Sequence, residues 1–329
     1  MFNIPTQRLA KVTVTETTTA VTLSVNPIVI AALSFTPRHL LVRVNAKTAS
    51  TAGYERDNIQ LQFNGDTGSN YNVHYLSGVG SSTGAARING AATYLMGQTA
   101  ADDANYFAGG ECLLPDALST RSHKSAVSLT GANEDILQTT IGRWANTAAI
   151  TSVTFTSYQS PNQWLAGSTF ELYVVDETFN IDEQIKTGDG TFTVSSISAA
   201  DGDLVVIGNV RADRNAVGDA VKLNINDDAT SGNYVGQVVY GAPGVGAGAT
   251  ALNVANITGD TAASSAFAGM VVQFSNFADG SNDPSYTSLS GYHGATDNSG
   301  VFFYSARRNN VEAITKLLFA PETGTNFKT

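Results

Sequence analysis

The feature that most constrains this chain is an internal repeat. Leu61-Gln62-Phe63-Asn64-Gly65-Asp66, followed by Asn70-Tyr71, returns as Leu223-Asn224-Ile225-Asn226-Asp227-Asp228, followed by Asn233-Tyr234. Upstream, the run 39–45 answers to 203–209; downstream, Ala149-Ile150-Thr151 with Phe155 answers to Ala313-Ile314-Thr315 with Phe319. The offsets are 164 (39 to 203), 162 (61 to 223), 163 (71 to 234) and 164 (149 to 313). Chance matches do not hold one spacing across most of a domain, whereas a unit present twice does. At 329 residues the chain is long enough for two such units, each with its own core.

Composition says what kind of unit it is. Charged residues make up 14% of the chain and glycines number 31, so the Glu, Lys, Arg and Leu of long amphipathic helices are scarce. Thr, Ser, Asn and Gly suit strands joined by many turns. Ile59, Leu61 and Phe63 alternate with Gln60 and Gln62, which gives a strand one buried and one wet face. Similar short runs lie at 11–17, 20–25, 40–44, 71–76, 150–156 and 168–175, then at 191–197, 204–207, 221–225, 234–240, 270–274, 301–305 and 313–319. The expected fold is all-β: two tandem antiparallel β-sandwiches, jelly-roll-like and related by duplication. Residues 1–178 form the first with an N-terminal arm, 179–190 the linker and 191–329 the second. No helical period runs for ten residues, and 262–270 has room for one or two helical turns. The weakly patterned stretches 78–103 and 242–268 read as surface loops.

The repeat also bears on the end of each unit. Trp164 pairs with Phe327, so the alternating run Gly167–Val175, which reads as a closing strand, has no counterpart. An open edge invites pairing. The second unit therefore calls for a continuation past Thr329, a strand from another chain, or a different closure.

Chemistry is harder to find. The net charge is −10 and no basic run exists, which excludes a phosphate-backbone binder; Arg307-Arg308, the densest basic pair, reads as a solvated turn. The single Cys112 reads as a small buried hydrophobe. The start has no secretory pattern, and the apolar stretch 20–35 is broken by Asn26-Pro27 and too short for a bilayer, so folding in a cytoplasm without a membrane anchor is expected. His39, His74, His123 and His293 have no metal-ligand spacing, and His74 should face solvent. Nucleophile-elbow, Walker and dinucleotide glycine patterns are absent. The turns at 201–203, 226–228 and 279–283 offer oxygens to calcium, but Asp, Asn and Gly are also ordinary turn residues. Among the aromatics, Trp164 matches Phe327 and reads as core. Trp144 has no aromatic counterpart, so it is the one candidate ligand-binding residue, a face for a sugar to stack on, although a core role is the favoured reading for it too. Catalytic, cofactor and metal residues are not expected, and neither is an enzyme.

Several of these runs resemble a domain that recurs in structural proteins of tailed bacteriophages. They are the Leu-x-Phe-Asn strand followed by Asn-Tyr, Ser122-His123-Lys124-Ser125, Trp144 with Ala149-Ile150-Thr151, and Trp164-Leu165-Ala166-Gly167-Ser168-Thr169-Phe170-Glu171-Leu172-Tyr173. Those domains often continue with Gly-Ile where this chain has Val174-Val175. The resemblance covers 40–175 well and 204–329 more loosely. It implies a non-catalytic virion protein that assembles with copies of itself and other virion proteins as a capsid decoration, fibre or tail component. A receptor-binding module for host surface glycans is the competing reading. The usual phage shell fold needs a long charged spine helix, and no segment here could form one.

Overall fold

A computed structural model describes all residues except 1–3, 5, 50–55, 102–105, 133–135, 159–162, 177–183, 185–189, 198–203, 242–244, 276, 279, 294–298 and 329. It is almost entirely β and divides into two compact units, Met1–Phe179 and Asn180–Thr329. Most of the expected linker and the Asp201-Gly202-Asp203 turn lie outside the described residues.

In the first unit a large sheet runs β1 (Thr6–Thr13), β13 (Thr169–Val175), β3 (Leu40–Ala49), β8 (Ala108–Leu114), β9 (Lys124–Ala132), β10 (Ile136–Trp144), β5 (Tyr71–Val79), β6 (Ser82–Ala91). A small sheet runs β2 (Ala20–Ser24), β11 (Ser152–Ser157), β4 (Arg56–Phe63), β7 (Tyr94–Ala101). Inward residues of β4 are buried and its glutamines are half-exposed, as the alternation predicts. Leu40, Val42, Leu61, Phe63, Tyr71, Trp144, Phe155, Trp164, Phe170 and Leu172 fill the space between the sheets.

The second unit repeats both strand orders. Its large sheet is β15 (Leu204–Val210), β20 (Ala268–Ser275), β21 (Ser285–His293), β22 (Ser299–Arg308), β17 (Tyr234–Gly241), β18 (Val245–Thr250); its small sheet is β14 (Phe192–Ser195), β23 (Lys316–Pro321), β16 (Gly218–Ile225), β19 (Asn253–Thr258). Each position from β3 to β6 and from β2 to β7 thus has a partner in the other unit. Among the described residues the pairings are antiparallel except at one corner of each unit, where β3 meets β7 in parallel at Lys47↔Ala100 and Arg211 meets Thr258 likewise.

The stretches expected to be loops contain β6 and β7 in one unit and β18 and β19 in the other. β6 and β18 are edge strands with both faces largely wet, so Gly, Ala and Ser serve without alternation. Residues 262–270 form a turn leading into β20 and no helix. The helix α1 (Pro27–Ala31) lies instead where Asn26-Pro27 interrupts the apolar run: the Asn26 side chain accepts the Ile28 N–H, and Pro27 occupies the first turn.

β7 and β19 border the small sheets, so part of their buried backbone needs partners from outside their own sheet. Hydroxyls from the large sheet supply them. Ser128 Oγ donates to Met96 O at 2.6 Å, and Gln98 N donates to Thr130 Oγ1 at 3.1 Å. In the second unit Ser288 Oγ donates to Val254 O, and Asn256 N donates to Ser290 Oγ at 2.9 Å. Ser128→Ala or Ser288→Ala should each destabilise its own unit by about 1–3 kcal/mol, because the loss strips a buried carbonyl of its donor. Urea unfolding checks this; losses below about 0.5 kcal/mol at both positions would show the links to be dispensable.

Candidate functional site

The repeated Asn-x-Asp…Asn-Tyr motif forms a clamp at the turn between β4 and β5, and again between β16 and β17. Asn64 and Asn226 adopt left-handed backbone conformations with φ of 54° and 52°. Asn64 Oδ1 accepts Thr151 N (2.7 Å), Thr151 Oγ1 (3.1 Å) and Ser152 N (3.1 Å), while its Nδ2 donates to Ala149 O (2.8 Å). Asn226 makes the same four bonds to Thr315 N (2.8 Å), Thr315 Oγ1 (3.1 Å), Lys316 N (3.0 Å) and Ala313 O (2.8 Å). Tyr71 hydroxyl accepts Phe63 N–H and donates to Asp66 O; Tyr234 does so with Ile225 and Asp228. The sequence repeat is therefore a hydrogen-bonding device.

The clamp's carboxylate has a different third partner in each unit. Asp66 accepts Gly68 N, Asn70 Nδ2 and the Trp144 indole N–H, the last at 2.6 Å. Asp228 accepts Thr230 N, Asn233 Nδ2 and Arg308 Nε at 3.0 Å. Trp144 is 1% exposed, stacked on Tyr71 and tilted against Phe63, so the residue singled out as a sugar-stacking face has no face to present. Arg308, expected in a solvated turn, is buried between Asp228 and Glu312, whereas Arg307 is exposed and paired with Asp283. Burial pushes the Asp228 carboxyl up, but Asn233, the Thr230 N–H and Arg308 together outweigh it and hold the group at about 2.

The remaining sequence-named residues are scattered. His39 is half-buried and accepts the Asp116 N–H at Nδ1; desolvation lowers its pKa to about 4. His74 and His293 are buried, which for His74 reverses the expectation of a solvent-facing ring: it sits on an interior strand, β5, flanked by Ile141 of β10 and Arg87 of β6. His123 is brought down to about 4, first by burial and then by Arg143 and Lys124. Lys124 donates to Ser122 O and Thr147 O and is lowered to about 8 by burial. Cys112 is fully buried, and burial raises its thiol. Asp227 pairs with Lys316 and Asp228 with Arg308, so the 226–228 turn spends its oxygens on protein donors. Among the described residues, no group of three or more His, Cys, Asp or Glu is placed to hold a metal ion. Nor is any helix there long and apolar enough to cross a membrane.

Two surfaces of the second unit stand out instead. On the outer face of its large sheet, the register aligns Ile207, Val271, Leu289, Phe303 and Val239 in one apolar row across five strands, with Val271 and Leu289 buried and the β22–β17 end of the row open. Phe303 is 42% and Val239 40% exposed, and Val235 beyond them is 51% exposed. On the inner face, past the reach of β19, Tyr240, Phe302 and Tyr292 form a half-buried ladder with neighbouring centroids 5.8 Å apart. Gly246 and Gly218 lie under the rings of Tyr240 and Tyr292, where a Cβ would come within 2.5 and 2.8 Å. Alternation in β22, Val301-Phe302-Phe303-Tyr304, signals two apolar faces, but a single sequence does not reveal which side stays open.

Comparison with known proteins returned no matching family model, no matching curated protein and no matching solved structure.

The Asp228 cluster predicts an acid response. Its carboxyl titrates near 2 when folded and near about 3.9 when unfolded, so its stabilisation is present above the unfolded value and fades as pH falls towards 2. Asp228→Asn should flatten the pH dependence of the second unit's stability between about pH 4 and 2. Denaturant midpoints across that range test it, and unchanged steepness would remove Asp228 as the group responsible.

Proposed function

We propose that this chain is an exterior structural protein of a tailed-bacteriophage virion, a head decoration, fibre or tail component, built from a duplicated sandwich and acting by assembly without catalysis. The observation that carries this reading is the exposed end of the apolar row on the outer face of the second unit's large sheet, where Phe303 and Val239 stand opposite each other with Val235 beyond. Exposed apolar side chains aligned across a rigid sheet suit burial against another protein. Partners on this reading are further copies of the chain and other virion proteins, gathered in the host cytoplasm, with neither nucleic acid nor membrane. The net charge of −10 agrees with a solvent-facing site away from the genome. The run from Trp164 to Tyr173 supplies the phage resemblance.

The doubly substituted chain Val239→Lys, Phe303→Glu, which places opposite charges across the β17–β22 pair, should remain folded and incorporate into particles at least about tenfold less well. Normal incorporation would remove the row as an interface. Absence of the unsubstituted chain from purified particles would sink the virion assignment itself.

A second reading has its own observation in the Tyr240–Phe302–Tyr292 ladder, since aromatic rings with one open side suit the apolar faces of sugars. Here the chain recognises host surface glycans. Phe302→Ala should then abolish retention on the glycans that bind the unsubstituted protein; a glycan array on which that protein retains nothing would end this reading.

A further inference from the structure

We infer that the outer edge of β15 is a receptor for an added β-strand, a polypeptide segment of alternating apolar residues running antiparallel to Leu204–Gly208. The inference comes from comparing the edges of equivalent strands and stands independently of the virion reading.

In the first unit, β3 is paired on both sides. β8 lies on one, and β13 lies on the other through Leu40↔Val174, Val42↔Leu172 and Val44↔Phe170. The inward side chains of β13 close the core: Phe170 lies 4.9 Å from Phe155 and 5.0 Å from Trp164, and all three are fully buried. Beneath them Val21 and Leu23 of β2 and Val42 of β3 are buried.

β15 holds the place of β3 in the second unit, pairing with β20 through Val206↔Val272 as β3 pairs with β8 through Val42↔Cys112. No described strand pairs with its other edge. The apolar residues that β13 would cover show the consequence: Phe192, Val194 and Val206, the counterparts of Val21, Leu23 and Val42, are only partly buried. Backbone geometry beside the slot is also matched. Leu165 N donates to Lys47 O at 2.9 Å just before Gly167 and Ser168 turn the first chain onto β3; Lys328 N donates to Arg211 O at 2.8 Å at the same position beside β15. A strand with backbone partners along one edge and apolar pockets at alternate positions is the arrangement that binds peptides by strand addition.

The slot also specifies its occupant. Inward residues must be apolar to face Leu204, Val206 and Gly208. The outward residue differs from that of β13. Glu171 stands opposite Arg43 in the first unit, and Arg43 is paired with Glu111. The positions of Arg43 and Glu111 are taken in the second unit by Ile207 and Val271. An outward β-branched residue therefore suits the slot better than an acid.

The probe is a synthetic peptide of residues 167–175 with two added lysines for solubility, beside the same peptide carrying Glu171→Val. Added at saturation to the full chain, the Glu171→Val peptide should slow amide exchange in Leu204–Ile207 by about tenfold or more, and the unmodified peptide less. Val206→Asp should abolish the slowing while β21 and β22 remain protected, which shows that the unit is still folded. Three results would overturn the inference: β15 protected like β3 before any peptide is added, no slowing by either peptide in a folded unit, or peptide-free protection that rises with protein concentration, meaning that a second copy fills the slot.

Discussion

Each sandwich is held where its small sheet hands the chain to its large one, and a single asparagine side chain holds it. Asn64 and Asn226 each offer one carbonyl to three donors and one amide to a carbonyl, all on the segment that leads into β11 or β23. Those strands lie over 80 residues further on in the sequence. Buried backbone groups near a turn must find partners, and here one side chain in a left-handed conformation supplies them. The neighbouring tyrosine then ties the end of the preceding strand to the carbonyl of the clamp aspartate. The asparagine bonds thus set β4 on β11 and β16 on β23 within each small sheet, and the tyrosine bonds tie that sheet to the first residue of β5 or β17 in the large one.

This device explains which regions of the fold were legible in the residues. The clamp recurs as a sequence motif because its geometry tolerates few other side chains, so the repeat announces itself. β4 and β13 alternate visibly because one face of each is buried. β6 and β18 do not, because both faces meet water and Gly, Ala and Ser meet the need. β7 and β19 fail for the opposite reason: Met96, Gln98, Val254 and Asn256 are tied by hydroxyls across the gap between sheets, and no periodicity encodes a bond to a residue more than thirty positions away. The candidate surfaces were the least legible, since inner and outer faces of β22 are both apolar.

The exchange of Trp144 for Arg308 is instructive. Both donate to the second oxygen of the clamp aspartate, one through an indole N–H in an aromatic cluster, the other through a guanidinium that also reaches Glu312. A carboxylate needs a donor at that point and accepts either chemistry. Comparing residue types column by column makes tryptophan look unmatched and therefore exposed. Comparing hydrogen-bond roles makes the two positions equivalent and both interior.

The pairing of β1 with β13 has a mechanical consequence. Thr6 lies opposite Val175, and Thr13 lies opposite Thr169. Tension applied through the segments flanking Thr6 and Val175 therefore loads this ladder from one end, and its rungs break in succession, in the manner of a zipper. A ladder loaded lengthwise would have to break all its rungs together. The first sandwich should consequently yield to force early and by degrees, shedding its arm while the clamped interior holds.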